Sequence, residues 1–375
     1  MSHVLVLGGG FGGLSAAERL AQKLAPEHHI TLMSRGGRFL FYPALVRLAF
    51  GKCEPDDISF DLREALADRR IRFVQAEVAR VEPREHYVIS AHGEVEGRIP
   101  YDYLVFAPGR RLATERVPGF YEHAHHLLSV ESALRFGEAV RGFKEGHAVF
   151  GYCPGARLAV PVYEAALALA RRLEEEGARG RARITVLTHE PPGGLLEGEE
   201  IRGALRDALD AHHVALWPDF PINRVTADHV YTKDGPGLRY DLLMLVPPFQ
   251  GPGALIGTDI TDEEGYVRVD GRMRVQGVER MYAVGDCVNL PGPKMGHMAV
   301  NQAEVAAANL AAEIEGREPA AVYKHETRLV IDEGGHDSIY FRKGPGEETE
   351  ASVRQGRFWG WAKWVQEKYW EGLHG

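Results

Sequence analysis

A glycine turn close to the amino terminus leaves this chain few folds to choose from. In HVLVLGGGFGGLSAAERLAQKLAPEHHITLMSR, Gly8, Gly10 and Gly13 stand between a β-branched run and an amphipathic helical pattern, and a second apolar run ends near Ser34. Strand, glycine turn, helix and strand in that order open a parallel α/β sheet. Each glycine has its own task. Gly8 permits the tight turn, Gly10 lets backbone approach a phosphate, and Gly13 allows the helix to sit close on the strand. The free N–H groups of the helix then face an anion. The second strand of such a unit normally ends in an acid that holds ribose hydroxyls; here Ser34, followed by Arg35, takes that place.

At 375 residues the chain has room for two or three domains with substantial cores. RIRFVQAEVARVEP, HYVISAHG and YDYLVFAPG read as further strands of the first unit. A second strand–helix–strand set follows in HAVFGYCPG, AALALARRLEEEG and RARITVLTHEPPGG. The chain then returns to a buried strand in YDLLMLVPPFQG, a hairpin, and the strand and turn of MYAVGDC. The predicted fold is α/β, with two Rossmann-type, three-layer ββα dinucleotide-binding domains and a small C-terminal α+β domain. The expected boundaries are 1–112 with 245–316, then 113–244, then 317–375.

Composition narrows the function. A net charge of −9 argues against nucleic acid as a partner, because phosphate backbones want a basic face. Cys53, Cys153 and Cys287 lie far apart, which excludes a local dithiol and a disulfide scaffold, and no metal site is expected. No secretory pattern or membrane-length apolar run is present, so a cytoplasmic protein is expected, peripheral on the inner membrane face if it meets a membrane.

MYAVGDC delivers Gly285 and Asp286 at the C-terminal end of a buried strand, where ligands sit in open α/β sheets. A helix beginning near Gly296 could aim its positive end at a developing anion. YLVFAPG, with Ala107 and Gly109, marks the crossing out of the first domain. These motifs in this order resemble the two-dinucleotide-binding-domain flavoproteins, in particular sulfide:quinone oxidoreductase and the flavoprotein subunit of flavocytochrome c sulfide dehydrogenase, with type II NADH dehydrogenases more distant. The matches are VLVLGGGFGGLSAA, FYPALVRLAFGKCEPDDISF, YDYLVFAPG, THEPPGG, LVPPFQG, AVGDC and PKMGHM. The resemblance implies bound FAD and a quinone or other small electron acceptor. It places Gly8, Gly10 and Gly13 at the pyrophosphate, Ser34 at the adenosine ribose, and Val78 at the adenine. Pro43 and Lys294 fall by the isoalloxazine and Asp286 by the ribityl chain, with Phe11, Arg35, Ala107, Gly109 and Gly285 as further cofactor-binding residues.

The electron donor is where the chain departs from its resemblance. The family's redox cysteines fall on Leu158 and near Leu329 in this sequence, and a third falls on Leu in HHLLSV. The loop Gly151-Tyr152-Cys153-Pro154-Gly155-Ala156 carries Cys and Ala where a second dinucleotide cradle would carry glycine, so tight NAD(P)H binding is disfavoured there. Glu164, in a Tyr-Glu pair that the family shares, is a candidate for proton transfer or else a surface helix residue. His297 is a candidate proton donor at neutral pH or a plain hydrogen-bonding group. Three readings stay open: a sulfide:quinone oxidoreductase-like enzyme with an unidentified donor, an NAD(P)H:quinone reductase, and a flavin-binding protein without turnover. In the tail RFWGWAKWVQEKYWEGLHG, Phe358, Trp361, Ala362, Val365 and Tyr369 share one helical face, suited either to a bilayer surface or to packing on the first domain or on a dimer partner.

Overall fold

The computed structural model describes residues 1–190, 196, 198–255, 257–335, 337–346 and 350–374. The elements used below are β1 (His3–Leu7), α1 (Phe11–Lys23), β2 (His29–Ser34), β3 (Arg72–Glu82), β4 (Tyr87–Gly93), β5 (Gly97–Pro100) and β6 (Tyr103–Phe106). The second unit supplies β7 (Gly146–Tyr152), α2 (Val160–Glu175), β8 (Ala182–Leu187), β9 (Ala215–Trp217) and β10 (Leu242–Val246). They are followed by β11 (Met281–Ala283), α3 (Gly296–Ile314), β12 (Thr327–Asp332), β13 (Ser338–Lys343), β14 (Ala351–Gln355) and α4 (Arg357–His374).

The first sheet has the order β11-β6-β1-β2-β3-β4-β5. Its inner strands are parallel, and the β3–β4 and β4–β5 pairs are antiparallel. Val4, Leu5 and Val6 are fully buried, as expected of a central parallel strand covered on both faces. Chain from both ends of the sequence builds this sheet, since β11 pairs with β6. Helix α1 lays Leu14, Ala16, Ala17 and Leu20 inward, and α3 answers with Ala303, Ala306 and Ala307. Small residues on both helices let their axes approach closely: a Cβ on Gly12 would stand 3.6 Å from Ala299 Cβ.

The second sheet, β9-β8-β7-β10, is wholly parallel. Here the strand-to-helix connection differs from that of the first unit. Helix α1 starts directly after Gly10, whereas β7 runs through Gly151 to Tyr152 and α2 starts only at Val160. Cys153 does not face out of this loop. It is fully buried among Val149, Leu187, Leu243 and Leu245, and its N–H donates to Val246 O at 2.9 Å. The expected glycine-loop geometry therefore gives way to a strand extension, because the apolar Cys side chain and its bonded backbone turn inward.

A third, antiparallel sheet (β12-β13-β14) carries α4. Trp359 stacks on Tyr340 with centroids 4.1 Å apart, and Trp370, three helical turns on, stacks on Phe39 of the first domain at 5.3 Å. Phe358, Trp361 and Val365 of the same helix stand exposed. The side chains of Ala362 and Tyr369, assigned from sequence to the same face, lie outside the described residues, as do Pro191–Gly194 of the THEPPGG motif.

Candidate cofactor site

The site begins where β1, β2 and β6 end together. Gly8 sits at φ +105°, and a Cβ there would lie 2.1 Å from the Ala107 carbonyl oxygen, so only glycine can make this crossing. A Cβ on Gly13 would come 1.8 Å from Gly8 O, which ties the first turn of α1 directly to the loop. Gly10 behaves in the opposite way. It has an ordinary extended conformation and nothing within 4 Å of where its Cβ would be. It therefore leaves open space at the head of α1, whose first turn has no side-chain cap and no acid. Uncapped N–H groups facing open space make an anion seat.

A second uncapped helix end meets the first. Helix α3 starts at Gly296 with neither a side-chain cap nor an acid in its first turn. Gly296 lies so close to the Phe11 ring that an added Cβ would stand 2.9 Å from it. Between the two helix ends, Gly285 donates its N–H to Gln302 Oε1 at 2.7 Å, which aims the following turn and its Asp286 carboxylate. Asp286 is largely buried and ion-paired with Arg110. Ser34 reaches the same loop, its Oγ 3.0 Å from the Cβ position of Gly9. Two convergent N-termini, a carboxylate and a hydroxyl suit a ligand carrying a pyrophosphate, sugar hydroxyls and a ring that takes up negative charge. FAD has those parts, and the open cradle at Gly10 is what a phosphate would enter.

Lys294 is 7% exposed; its Nζ donates to Val288 O at 2.5 Å and lies 4.9 Å from the centre of the Tyr266 ring. Burial, with Arg157 nearby, pushes its ammonium down to about 8. His297, in the first turn of α3, places Nε2 3.1 Å from Glu326 O at the start of the third sheet, and burial lowers its pKa below the ordinary value. The ring thus tethers α3 to the start of the third sheet. Gly109, at φ +79°, precedes Arg110. Pro43 is exposed in a short turn whose Tyr42 ring lies 5.9 Å from the Arg110 guanidinium. Val78 is half-buried at a bulge between β3 and β4, and Arg35 is exposed, with a 3.8 Å contact to Glu77.

Glu164 departs from one of the two readings made from sequence. It is not a surface residue: it is 2% exposed, and its Oε1 accepts the Asp332 N–H at 2.9 Å, fastening α2 to the third sheet. Leu158 and Leu329, standing where the resemblance puts thiols, both join the main hydrophobic core. Cys53 is half-buried against that core, and burial raises the thiols of Cys153 and Cys287, the latter to about 12. Sequence reasoning missed Arg110, Arg157 and Tyr266. Arg157 donates to Leu290 O and to Gly292 O (2.6 Å), while its own carbonyl accepts the Lys294 N–H at 2.8 Å, so the loop between β7 and α2 holds the segment before α3. Nothing local in sequence distinguishes these residues from surface arginines. Among the described residues no group of three metal-ligating side chains forms, and no helix is long and apolar enough to cross a membrane.

Comparison with known proteins places the site in context. The family model described as pyridine nucleotide-disulphide oxidoreductase matches residues 2–307. The crystal structure of sulfide:quinone oxidoreductase from the hyperthermophilic bacterium Aquifex aeolicus superposes with a TM-score of 0.92 at 26% identity, covering 98% of this chain and 90% of that one. The mitochondrial sulfide:quinone oxidoreductase of Mus musculus is 26% identical over 78% of this chain and 67% of its own. Demethylphylloquinone reductase of Synechocystis is 25% identical, over 76% and 71% respectively.

Proposed function

The chain belongs to the pyridine nucleotide-disulphide oxidoreductase family, and from that premise we propose that it moves two electrons through FAD to a quinone, from a donor that reaches the flavin without a protein-thiol relay. It is an FAD-dependent oxidoreductase of the kind its relatives represent. Those relatives are named for different donors or for none, yet a quinone recurs as acceptor in their names. The acceptor is therefore the better supported half of the reaction.

The observation that carries the reading is the open cradle at Gly10, at the head of a helix whose Gly12 packs against Gly285, the residue before Asp286. When bound, FAD supplies a ring that accepts and returns electron pairs. The chain's own contribution is to seat phosphate on the N–H groups of α1, to hold sugar hydroxyls on Asp286, and to present the positive end of α3. Lys294, its ammonium pushed down to about 8 by burial, can hold or release a proton near pH 8. Two observations speak for direct reduction. Leucines stand at positions 158 and 329, and the Cys153 and Cys287 thiols are buried and held protonated. NADH and NADPH are the weaker alternative donors, because the second unit spends the Cys153 N–H on Val246 O instead of offering it to a phosphate.

The exposed Phe358, Trp361 and Val365 would rest at a bilayer surface, where quinones partition. The test is anaerobic mixing of FAD-loaded protein with sulfide, NADH and NADPH in turn, followed by a short-chain quinone. Reduction by one donor and reoxidation by quinone supports the reading. Rapid reduction by sulfide would refute the claim that missing thiols matter, and failure of every donor would favour a flavin-binding protein without turnover.

A further inference from the structure

Two buried hydrogen-bond donors beside Asp286 have no partner: Arg110 Nε and Tyr266 Oη. Tyr266 is 4% exposed. Its hydroxyl lies within electrostatic reach of Arg157, Asp286 and Arg110, and Lys294 lies over its ring. The Arg110 guanidinium is pressed against the Phe249 ring at 4.2 Å, which leaves it little freedom to turn toward solvent. Three cations, Arg110, Arg157 and Lys294, thus surround one carboxylate in a largely buried space. Asp262 also lies within electrostatic reach of Lys294, which leaves three cations against two carboxylates. Asp262 accepts the N–H groups of Glu264 and Tyr266, and Glu264 pairs with Arg116 at 2.7 Å.

An unpaired buried donor costs on the order of 1–3 kcal/mol, and an excess of buried positive charge costs more, unless an acceptor-rich or anionic occupant is present. No protein group fills that part among the described residues. We propose that Tyr266 and Arg110 hold the flavin ring itself, donating to the edge that becomes negative on reduction, and so set its reduction potential. The proposal rests on the reading of this cleft as the FAD site. Neither residue belongs to a motif legible in sequence, and both are positioned by packing, Tyr266 through the bond of the following Val267 N–H to Cys287 O at 2.8 Å.

The experiment compares the parent protein with Tyr266→Phe, Arg110→Gln and Arg110→Lys, reading three quantities: FAD dissociation constant, flavin midpoint potential by dye equilibration, and thermal midpoint of the FAD-free protein. Tyr266→Phe keeps the ring under Lys294 and removes only the hydroxyl. It and Arg110→Gln should each weaken the preference for reduced over oxidised flavin about tenfold, which for a two-electron couple is a potential lower by about 30 mV. Arg110→Lys keeps the charge and should recover most of that loss. Potentials unchanged in FAD-loaded variants would overturn the proposal even if thermal stability moved, since a purely structural role predicts that pattern. A parent protein that binds no FAD would instead remove the underlying reading, and this proposal with it.

Discussion

Substituting alanine at Gly10 should separate binding from folding. The residue has φ −86° and ψ −169°, which any L-residue can adopt, and a Cβ there meets nothing within 4 Å. In the FAD-free protein the change should therefore be almost silent. Alanine is a poorer helix N-cap than glycine, but it also restricts the unfolded chain, and these opposing effects leave a net change of about 1 kcal/mol or less. In the loaded protein the methyl occupies space that a phosphate would enter. Losing one or two charge-assisted bonds from the α1 N–H groups, at about 1.5–3 kcal/mol each, gives a loss near 3 kcal/mol. That corresponds to roughly a hundredfold weaker binding. Gly13→Ala is the control with the opposite signature. Its Cβ would stand 1.8 Å from Gly8 O, so the FAD-free fold should lose about 4 kcal/mol or more. Flavin fluorescence quenching gives the dissociation constant, and urea unfolding without FAD gives the stability. Gly10→Ala binding FAD as tightly as the parent would refute the placement of phosphate at α1.

Three further outcomes follow from other parts of the molecule. Native protein treated with a thiol reagent should label Cys53 alone, with Cys153 and Cys287 labelled only after unfolding; native labelling of Cys153 would contradict its packing. Burial, reinforced by Arg135, holds the His126 ring down to about 4 against an ordinary 6.5. Its folded value is depressed, so its contribution is constant above about pH 6.5 and is lost as pH falls toward 4, by about 3 kcal/mol at most. His126→Gln should flatten urea stability across that window, and identical pH slopes in parent and variant would refute this. On α4, Phe358→Ser with Trp361→Ser should weaken sedimentation with anionic vesicles and leave the thermal midpoint unchanged. Trp370→Ala, which removes the stack on Phe39, should cost about 2 kcal/mol of stability; the reverse pattern would assign the exposed stripe to folding.

Much of the framework is local and was legible in the chain as written. The glycine turn, the apolar run of β1 and the alternation of strand and helix express backbone sterics and side-chain period, which neighbouring residues impose on one another. Asp286 was legible for a related reason, because a strand followed by Gly-Asp puts the carboxylate at the sheet's C-terminal edge. The second loop shows the limit of such reading. Gly151, Cys153 and Gly155 carry the spacing of a nucleotide turn, yet whether an N–H faces a ligand or a neighbouring strand depends on β10, which lies far along the chain. Tertiary contact also decided that Glu164 fastens α2 to the third sheet, that Trp370 lies on Phe39, and that Arg110 meets Asp286. Charge and aromatic character are visible in a sequence, but a partner distant in the chain is chosen only when packing brings the two together and excludes water between them. That choice left Arg110 Nε and the Tyr266 hydroxyl buried near Asp286 without a hydrogen-bond partner among the described residues.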